Sequence, residues 1–164
     1  MIQGRRVGVV IPARDEESHI EGVLVHLPET VDLAVVVNDG SVDRTSEAAR
    51  LAKAPCEVVV IDGNGDGVGA AIDRGHRHLL SCWDGPFISV VMAGDGQMNP
   101  DDMEALVQPI LNDVADHVKG NRCLHPEGLN RMPKLRQRAT AVLSLFTTLA
   151  AGQPFGDPQC GYTA

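Results

Sequence analysis

A chain of 164 residues is long enough to build one domain with a sizeable core. Its 14 Lys and Arg against 22 Asp and Glu leave a formal charge of −8, which excludes nucleic acid as the expected partner, since that surface wants a basic face. Phosphate ligands stay open, because metal ions and helix N-termini hold them without basic side chains; a salt-adapted source is the other account of the acidity.

Arg6 to Ile11 is a β-branched run and predicts a buried strand. It begins so early that no signal peptide is expected before it. Glu16 to Leu27 sets Ile20, Val23, Leu24 and Leu27 on one helical face. Leu33 to Val37 is the second strand. Ser41 to Lys53 is its helix, with Ala48, Leu51 and Ala52 inward and Ser41 or Asp43 as cap. Glu57 to Ile61 is the third strand and Val68 to Leu80 its helix, on which His76 and His78 read as a solvated face rather than metal ligands.

Phe87 to Met92 is the fourth strand. Asn99-Pro100-Asp101-Asp102 then opens a helix by cap, first-turn proline and first-turn carboxylates, with Met103, Leu106, Val107 and Ile110 as its buried stripe. Asp116 to Lys119 is expected as a fifth strand. Leu124 to Pro133, rich in Pro, Gly and charge, is expected as a mobile loop. Leu135 to Ala151 is a longer amphipathic helix, and the apolar stretch within it, Ala139 to Ala151, is too short and too broken by Thr140, Ser144, Thr147 and Thr148 to be expected to span a membrane. The alternation of strand and helix implies an α/β fold with a mainly parallel, doubly covered sheet. Cys56, Cys82, Cys123 and Cys160 form no C-x-x-C pair, which argues for free thiols in a reducing compartment and against zinc.

Polar residues collect at the strand ends, where open α/β sheets bind ligands. Pro12 to Glu16 follows the first strand, Asn38 to Ser41 the second, Gly63 to Gly69 the third, Asp95 and Gln97 the fourth, and Gly120 to Arg122 the fifth. Asp95 with the Gln97 oxygen suits a hard divalent cation holding a phosphate. Asp39 reads either as a turn residue or as an acceptor for a nucleobase or ribose. The Pro12 to Glu16 loop would wall the base pocket, and Arg122 has the planar fork that pairs with a diphosphate. Gly65-x-Gly67-x-x-Ala70 meets the relaxed dinucleotide fingerprint, though after the third strand rather than the first. Asp157 to Gly161 is either a turn ending the long helix or an acidic loop closing over a reacting centre.

Taken in order from Val7 to the C-terminus, these motifs resemble family 2 glycosyltransferases, nearest the dolichol-phosphate mannosyltransferase-like branch. The carriers are Val10-Ile11-Pro12-Ala13-Arg14-Asp15-Glu16-Glu17, Val37-Asn38-Asp39-Gly40-Ser41-Val42-Asp43-Arg44-Thr45, Asn64-Gly65-Asp66-Gly67-Val68-Gly69-Ala70, Asp95-Gly96-Gln97-Met98-Asn99-Pro100, Gly120-Asn121-Arg122 and Asp157-Pro158-Gln159-Cys160-Gly161-Tyr162. The resemblance implies a GT-A fold, a three-layer sandwich with a mostly parallel central sheet, as a single catalytic domain over residues 1–164 that is cut short at its C-terminus. It implies an inverting transfer from a nucleotide-diphosphate sugar to a polyprenyl or dolichyl phosphate or a cell-envelope glycan, in the cytoplasm or at the cytoplasmic membrane surface.

The same resemblance assigns donor binding to Pro12, Ala13, Arg14, Glu16, Asp39, Gly67, Gly69, Asp95 and Arg136. Mg²⁺ or Mn²⁺ falls to Asp95 with Gln97. Arg122, joined by Arg131 or Arg136, would stabilise the departing diphosphate, and Asp157 would be the base if the acceptor is a hydroxyl. Two positions depart from the family pattern. Ala93 stands where the metal motif has its first aspartate, and Asn38 where the nucleotide motif has its own. Two other readings compete: an NAD(P)-dependent oxidoreductase built on the glycine loop, and a nucleotide-sugar binder that lost catalysis with Ala93.

Overall fold

The computed structural model describes residues 2, 4–122, 133–152, 154 and 156–164, with 135 and 136 by backbone alone. They form two compact units, one of residues up to Val118 together with Tyr162–Ala164, the other of Lys119–Gly161. The expected loop at Leu124 to Pro133 lies almost wholly outside the described residues, as do Cys123 and Arg131.

The first unit is built on β1 (Arg6–Ala13), β2 (Leu33–Asn38), β3 (Glu57–Asp62) and β4 (Phe87–Val91), with helices α1 (Ile20–Val25), α2 (Thr45–Leu51), α3 (Val68–Cys82) and α4 (Met103–Leu111) in the connections. The strand order is β3-β2-β1-β4, and every pairing is parallel. Successive residues of a strand point to opposite faces. Val9, Val10 and Ile11 in β1 and Ala34, Val35 and Val36 in β2 are all fully buried, so both faces of the central strands are covered. On one face Val10, Leu33, Val35 and Val37 meet Ala71 and Leu79 of α3. This is the mainly parallel, doubly covered α/β sheet that the sequence implies.

Two glycines let α3 lie close on β1. A Cβ at Gly75 would collide with Val10 Cγ1, and one at Gly8 would stand 2.6 Å from Leu79 Cδ2. Each element thus receives the other's side chain where it has none of its own. α1 buries Ile20, Val23 and Leu24 as its periodicity predicts. α4 buries Met103, Leu106 and Val107, but Leu111 rather than Ile110 completes the stripe. Asn99 caps as expected, its side chain accepting the Asp101 N–H, and the first turn, Pro100–Asp102, is 3₁₀.

Three expectations fail here. α2 starts four residues late, at Thr45, and faces inward with Thr45 and Ala49; Leu51 is 72% exposed. Asp116 to Lys119 is not a strand. Val118 instead exchanges two backbone hydrogen bonds of 2.9 Å with Ala164. The sheet gains an antiparallel neighbour there, since Thr163 bridges to Val91. The second unit contains α5 (Lys134–Ala151), ended by Gly152 in the left-handed region at φ +68°.

Candidate functional site

Parallel register brings Ala13, Asn38 and Asp62 side by side at the carboxyl ends of β1, β2 and β3. Backbone bonds continue the ladder into the turns. Asp39 N–H donates to the Ala13 carbonyl at 2.9 Å, Gly63 N–H to the Asn38 carbonyl at 2.7 Å, and Gly94 N–H to the Pro12 carbonyl at 3.2 Å. The four turns are therefore rigid extensions of the sheet. The fifth turn, Gly120 to Arg122, belongs to the second unit and follows no strand among the described residues.

The first and second turns lock together. Asp15 N–H donates to Ser41 Oγ at 2.9 Å and Val42 N–H returns a bond to Asp15 Oδ1 at 2.8 Å. Glu16 N–H reaches Thr45 Oγ1 at 2.8 Å, and Glu17 N–H reaches Asp43 Oδ2 at 3.0 Å. Arg44 closes the set with its guanidinium on Glu17 Oε1 at 2.6 Å. Ser41 is thus spent on the lock, whereas Asp43 serves both ends, its Oδ2 taking the Glu17 N–H and its Oδ1 accepting the Thr45 N–H at 3.0 Å where α2 begins. The bonds from the Arg44 backbone and side chain hold the Glu17 carboxyl below its ordinary range, and the Thr45 hydroxyl does the same for Asp43. Thr45 is fully buried. Sequence reading missed its role, although the Asp43-x-Thr45 spacing in the second turn was its visible signal.

Asp39 is 4% exposed, and both its oxygens hold the glycine loop. Oδ1 accepts the Asp66 N–H at 3.0 Å and Oδ2 the Gly67 N–H at 2.8 Å. Gly67 sits at φ +96°, which glycine adopts without strain. A dinucleotide fold presents these loop N–H groups to a pyrophosphate. Here a buried carboxylate already holds them, which weighs against the oxidoreductase reading.

Asn38 faces Asp62. Its Nδ2 donates to Asp62 Oδ1 at 3.1 Å and to Ser46 Oγ at 2.7 Å, while its Oδ1 accepts the Ser41 N–H. Bonds from Ser46, Asn38 and Arg50 hold the Asp62 carboxyl below its usual range. An aspartate in place of Asn38 would meet a carboxylate there, so the carboxamide suits this neighbourhood.

Of the other donor-site candidates, Pro12 is half-buried and Ala13 buried, and both act through their carbonyls. Arg14 is exposed and makes no hydrogen bond or ion pair among the described residues. The Glu16 carboxylate lies 2.9 Å from His19 Nδ1. Gly69 lies in the first turn of α3, with nothing within 4 Å of where a Cβ would be. The Arg136 side chain lies outside the described residues.

Asp95 follows β4 in a tight turn, its Oδ1 accepting the Gln97 N–H at 3.0 Å across Gly96 at φ +71°. Gln97 is exposed. No group of three or more His, Cys, Asp or Glu able to hold a metal occurs among the described residues. Two oxygen donors suit a hard cation only if phosphate oxygens complete the set.

In the second unit Arg122 grips Asp157. Nε donates to Oδ2 at 2.7 Å, Nη2 to Oδ1 at 3.0 Å and the Arg122 backbone N–H to Oδ2 at 3.2 Å. Gln159 N–H adds a fourth bond at 3.2 Å. Burial pushes the Asp157 carboxyl up, but the bonds and charge of Arg122 outweigh it and leave the group below its usual range. A carboxylate held in this way is a weak base. Its geometry makes it the seat of Arg122 rather than a proton acceptor.

An α/β sheet of parallel strands whose carboxyl ends carry interlocked polar turns is the frame on which open α/β domains bind ligands. The chain matches glycosyl transferase family 2 over residues 8–161 and belongs to that family. It is 29% identical over 171 residues to the UDP-N-acetylglucosamine–dolichyl-phosphate N-acetylglucosaminyltransferase of Methanococcus voltae, covering 95% of this chain and 67% of that protein. It is 34% identical over 157 residues to an uncharacterised protein of Methanocaldococcus jannaschii, covering 95% of this chain and 63% of the relative.

Among solved structures, glucosyl-3-phosphoglycerate synthase from Mycobacterium tuberculosis, in complex with Mn²⁺, UDP and phosphoglyceric acid, superposes with a TM-score of 0.70 at 25% identity, over 98% of this chain and 55% of the synthase. The same synthase with Mg²⁺ and UDP gives a TM-score of 0.51 at 30% identity, over 66% of this chain and 40% of that one. The fold is thus that of the GT-A glycosyltransferases. The chain spans about two thirds of the length of the curated relatives and about half that of the synthase.

Proposed function

We propose that this chain carries the donor site of a glycosyltransferase that moves a sugar from a UDP-sugar to a phosphate-bearing acceptor, a polyprenyl phosphate foremost. The observation that carries the reading is the row of locked turns at the sheet's carboxyl edge, ending in Asp95, in a chain of this family. The relatives support the donor, since one is named for a UDP-sugar and the synthase was solved with UDP.

A divalent cation, Mg²⁺ or Mn²⁺, fits Asp95 and Gln97 provided the donor's diphosphate supplies the remaining oxygens. Bound there, it would neutralise charge on the departing nucleoside diphosphate. The residues of the chain do the rest. Asp39 is assigned to the nucleoside through the lone pairs that its two loop bonds leave, with the Pro12 to Glu16 turn as the wall; Arg122, in the second unit, is assigned to an anionic group.

Two features favour an anionic lipid acceptor over a sugar hydroxyl. The paired Asp157 is a weak base, and a phosphate acceptor is already ionised and needs none. Residues 119–161 carry six Lys and Arg against two Asp and Glu, whereas the rest of the chain carries eight against twenty. On α5, Val142, Leu145, Phe146 and Leu149 are 54%, 59%, 64% and 72% exposed at helical spacing. A basic helix with an exposed apolar stripe suits the surface of an anionic membrane. No described helix is long and apolar enough to cross one. On this reading the protein works at the cytoplasmic membrane face.

Calorimetry with UDP, in Mn²⁺ and then in chelator, tests this on wild type and Asp95→Ala. Binding that needs Mn²⁺ and disappears in the variant is expected. Binding indifferent to both would remove the metal assignment. Binding of NAD in place of UDP would overturn the whole reading, and UDP binding without sugar transfer to a polyprenyl phosphate would leave a nucleotide-sugar binder.

A further inference from the structure

Arg74 belongs to no motif, yet it meets the glycine loop at the buried carboxylate. Its Nη2 donates to Asp66 Oδ2 at 3.1 Å, and its Nη1 is buried without a hydrogen-bond partner among the described residues. What faces Nη1 is Gly63. A Cβ there would stand 2.5 Å from Nη1, 3.1 Å from the Asn38 carbonyl oxygen and 3.4 Å from Asp39 Oδ1. Guanidinium, carbonyl and carboxylate therefore converge over one glycine α-carbon.

A buried N–H with no acceptor is unfavourable, and an arginine side chain has ample freedom to swing into water instead. The guanidinium stays because its other nitrogen is tied to Asp66. The Asp66 N–H is in turn bonded to Asp39 Oδ1, and Gly67 N–H to Oδ2. Helix α3 thus reaches back eight residues to pin the loop that orients Asp39.

We propose that Arg74 is a positioning residue for the nucleoside end of the donor site, acting through Asp66 on the carboxylate of Asp39. This rests on the reading that Asp39 contacts the donor's nucleoside. Gly63 is part of the same device: its φ lies outside the left-handed region, and it is the Arg74 guanidinium, with the Asn38 carbonyl behind it, that crowds a side chain there.

The test is a double-mutant cycle on the whole chain, read by UDP calorimetry and by amide hydrogen exchange. Arg74→Ala and Gly63→Ala should each weaken UDP binding about tenfold. The double variant should lose less than the two single losses combined, since the methyl then has no guanidinium to displace and meets only the Asn38 carbonyl. Arg74→Lys should recover only part, lacking the fork that spans Asp66 and Gly63. In Arg74→Ala the Asp66 and Gly67 amides should exchange faster while the sheet amides keep their protection. Wild-type UDP affinity in Arg74→Ala, or losses that simply add, would overturn the proposal. If wild type binds no nucleotide, the donor reading fails instead; the exchange rates still decide, faster at Asp66 and Gly67 supporting the clamp and unchanged rates overturning it.

Discussion

Arg122 and Asp157 form a two-pronged ion pair, at 2.7 and 3.0 Å, in which the carboxylate is fully buried and the guanidinium keeps 36% of its side chain in water. The asymmetry decides what each residue can do. Asp157 is committed to holding. Arg122, anchored on one side, still reaches solvent with its charge.

Asp157→Ala should cost roughly 2–3 kcal/mol, below the roughly 3–5 kcal/mol of a fully buried pair because Arg122 can recover water. Urea unfolding measures it. The pH sign follows from the lowered carboxyl: the pair's contribution is present above the unfolded pKa of about 4 and is lost as pH falls through the lower folded value. The wild-type advantage over Asp157→Ala should therefore be flat from about pH 6 to about pH 8 and shrink below about pH 4.

Asn38→Asp sets two carboxylates in register, the new one facing Asp62 where an amide now donates at 3.1 Å. A loss of about 1 kcal/mol is expected near neutral pH, modest because Asp62 is 59% exposed. Adding Asp62→Asn should restore most of it. Thermal unfolding of the four proteins in that cycle gives the coupling directly.

Gly75→Ala sets two effects against each other. Alanine favours the helix by about 1 kcal/mol. Its methyl, however, would collide with Val10 Cγ1, on a stiff branched side chain that cannot rotate away. Overpacking of about 1–3 kcal/mol should win, and a lower urea midpoint would record it.

Ala93→Asp adds a second carboxylate to the turn that carries Asp95. Mn²⁺-dependent UDP affinity should rise about tenfold, with little change in metal-free binding. Equal affinities in Mn²⁺ titrations of the two proteins would mean that position 93 does not face the metal.

Phe146→Asp with Leu149→Asp should abolish binding to phosphatidylglycerol vesicles in a sedimentation assay. Both side chains are mostly exposed, so the melting temperature should barely move. Vesicle binding that survives both changes would remove the membrane role of α5.

The sheet was legible because its signal is local. Val7 to Ile11 and Leu33 to Val37 are apolar on both parities, which only a doubly covered strand needs. The fifth strand was misread for the opposite reason: Val118 pairs with Ala164, and no window around residue 118 contains that partner. The start of α2 was misread because Ser41 has cap chemistry but uses it on Asp15, and Asp43 bonds the Thr45 N–H only where the helix actually begins. In the site, strand-end position was readable and partnership was not. Asp39, picked from the second turn, proves to hold the glycine loop, and Arg74 gave no signal because its partners lie eight and eleven residues back around a loop.

The bridge between Val91 and Thr163 closes a loop of about seventy residues, nearly as long as the loop of about eighty closed by the pairing of β1 with β4. The four parallel strands are complete at Val91, and α4, which packs against β4, follows at once. On a nascent chain they are available while residues 119–161 are still being made. The antiparallel edge must then wait, open on the β4 side, until Thr163 emerges. Translation order thus makes the β4 edge the exposed, aggregation-prone flank of this protein during synthesis, and the segment around Thr163 its cover.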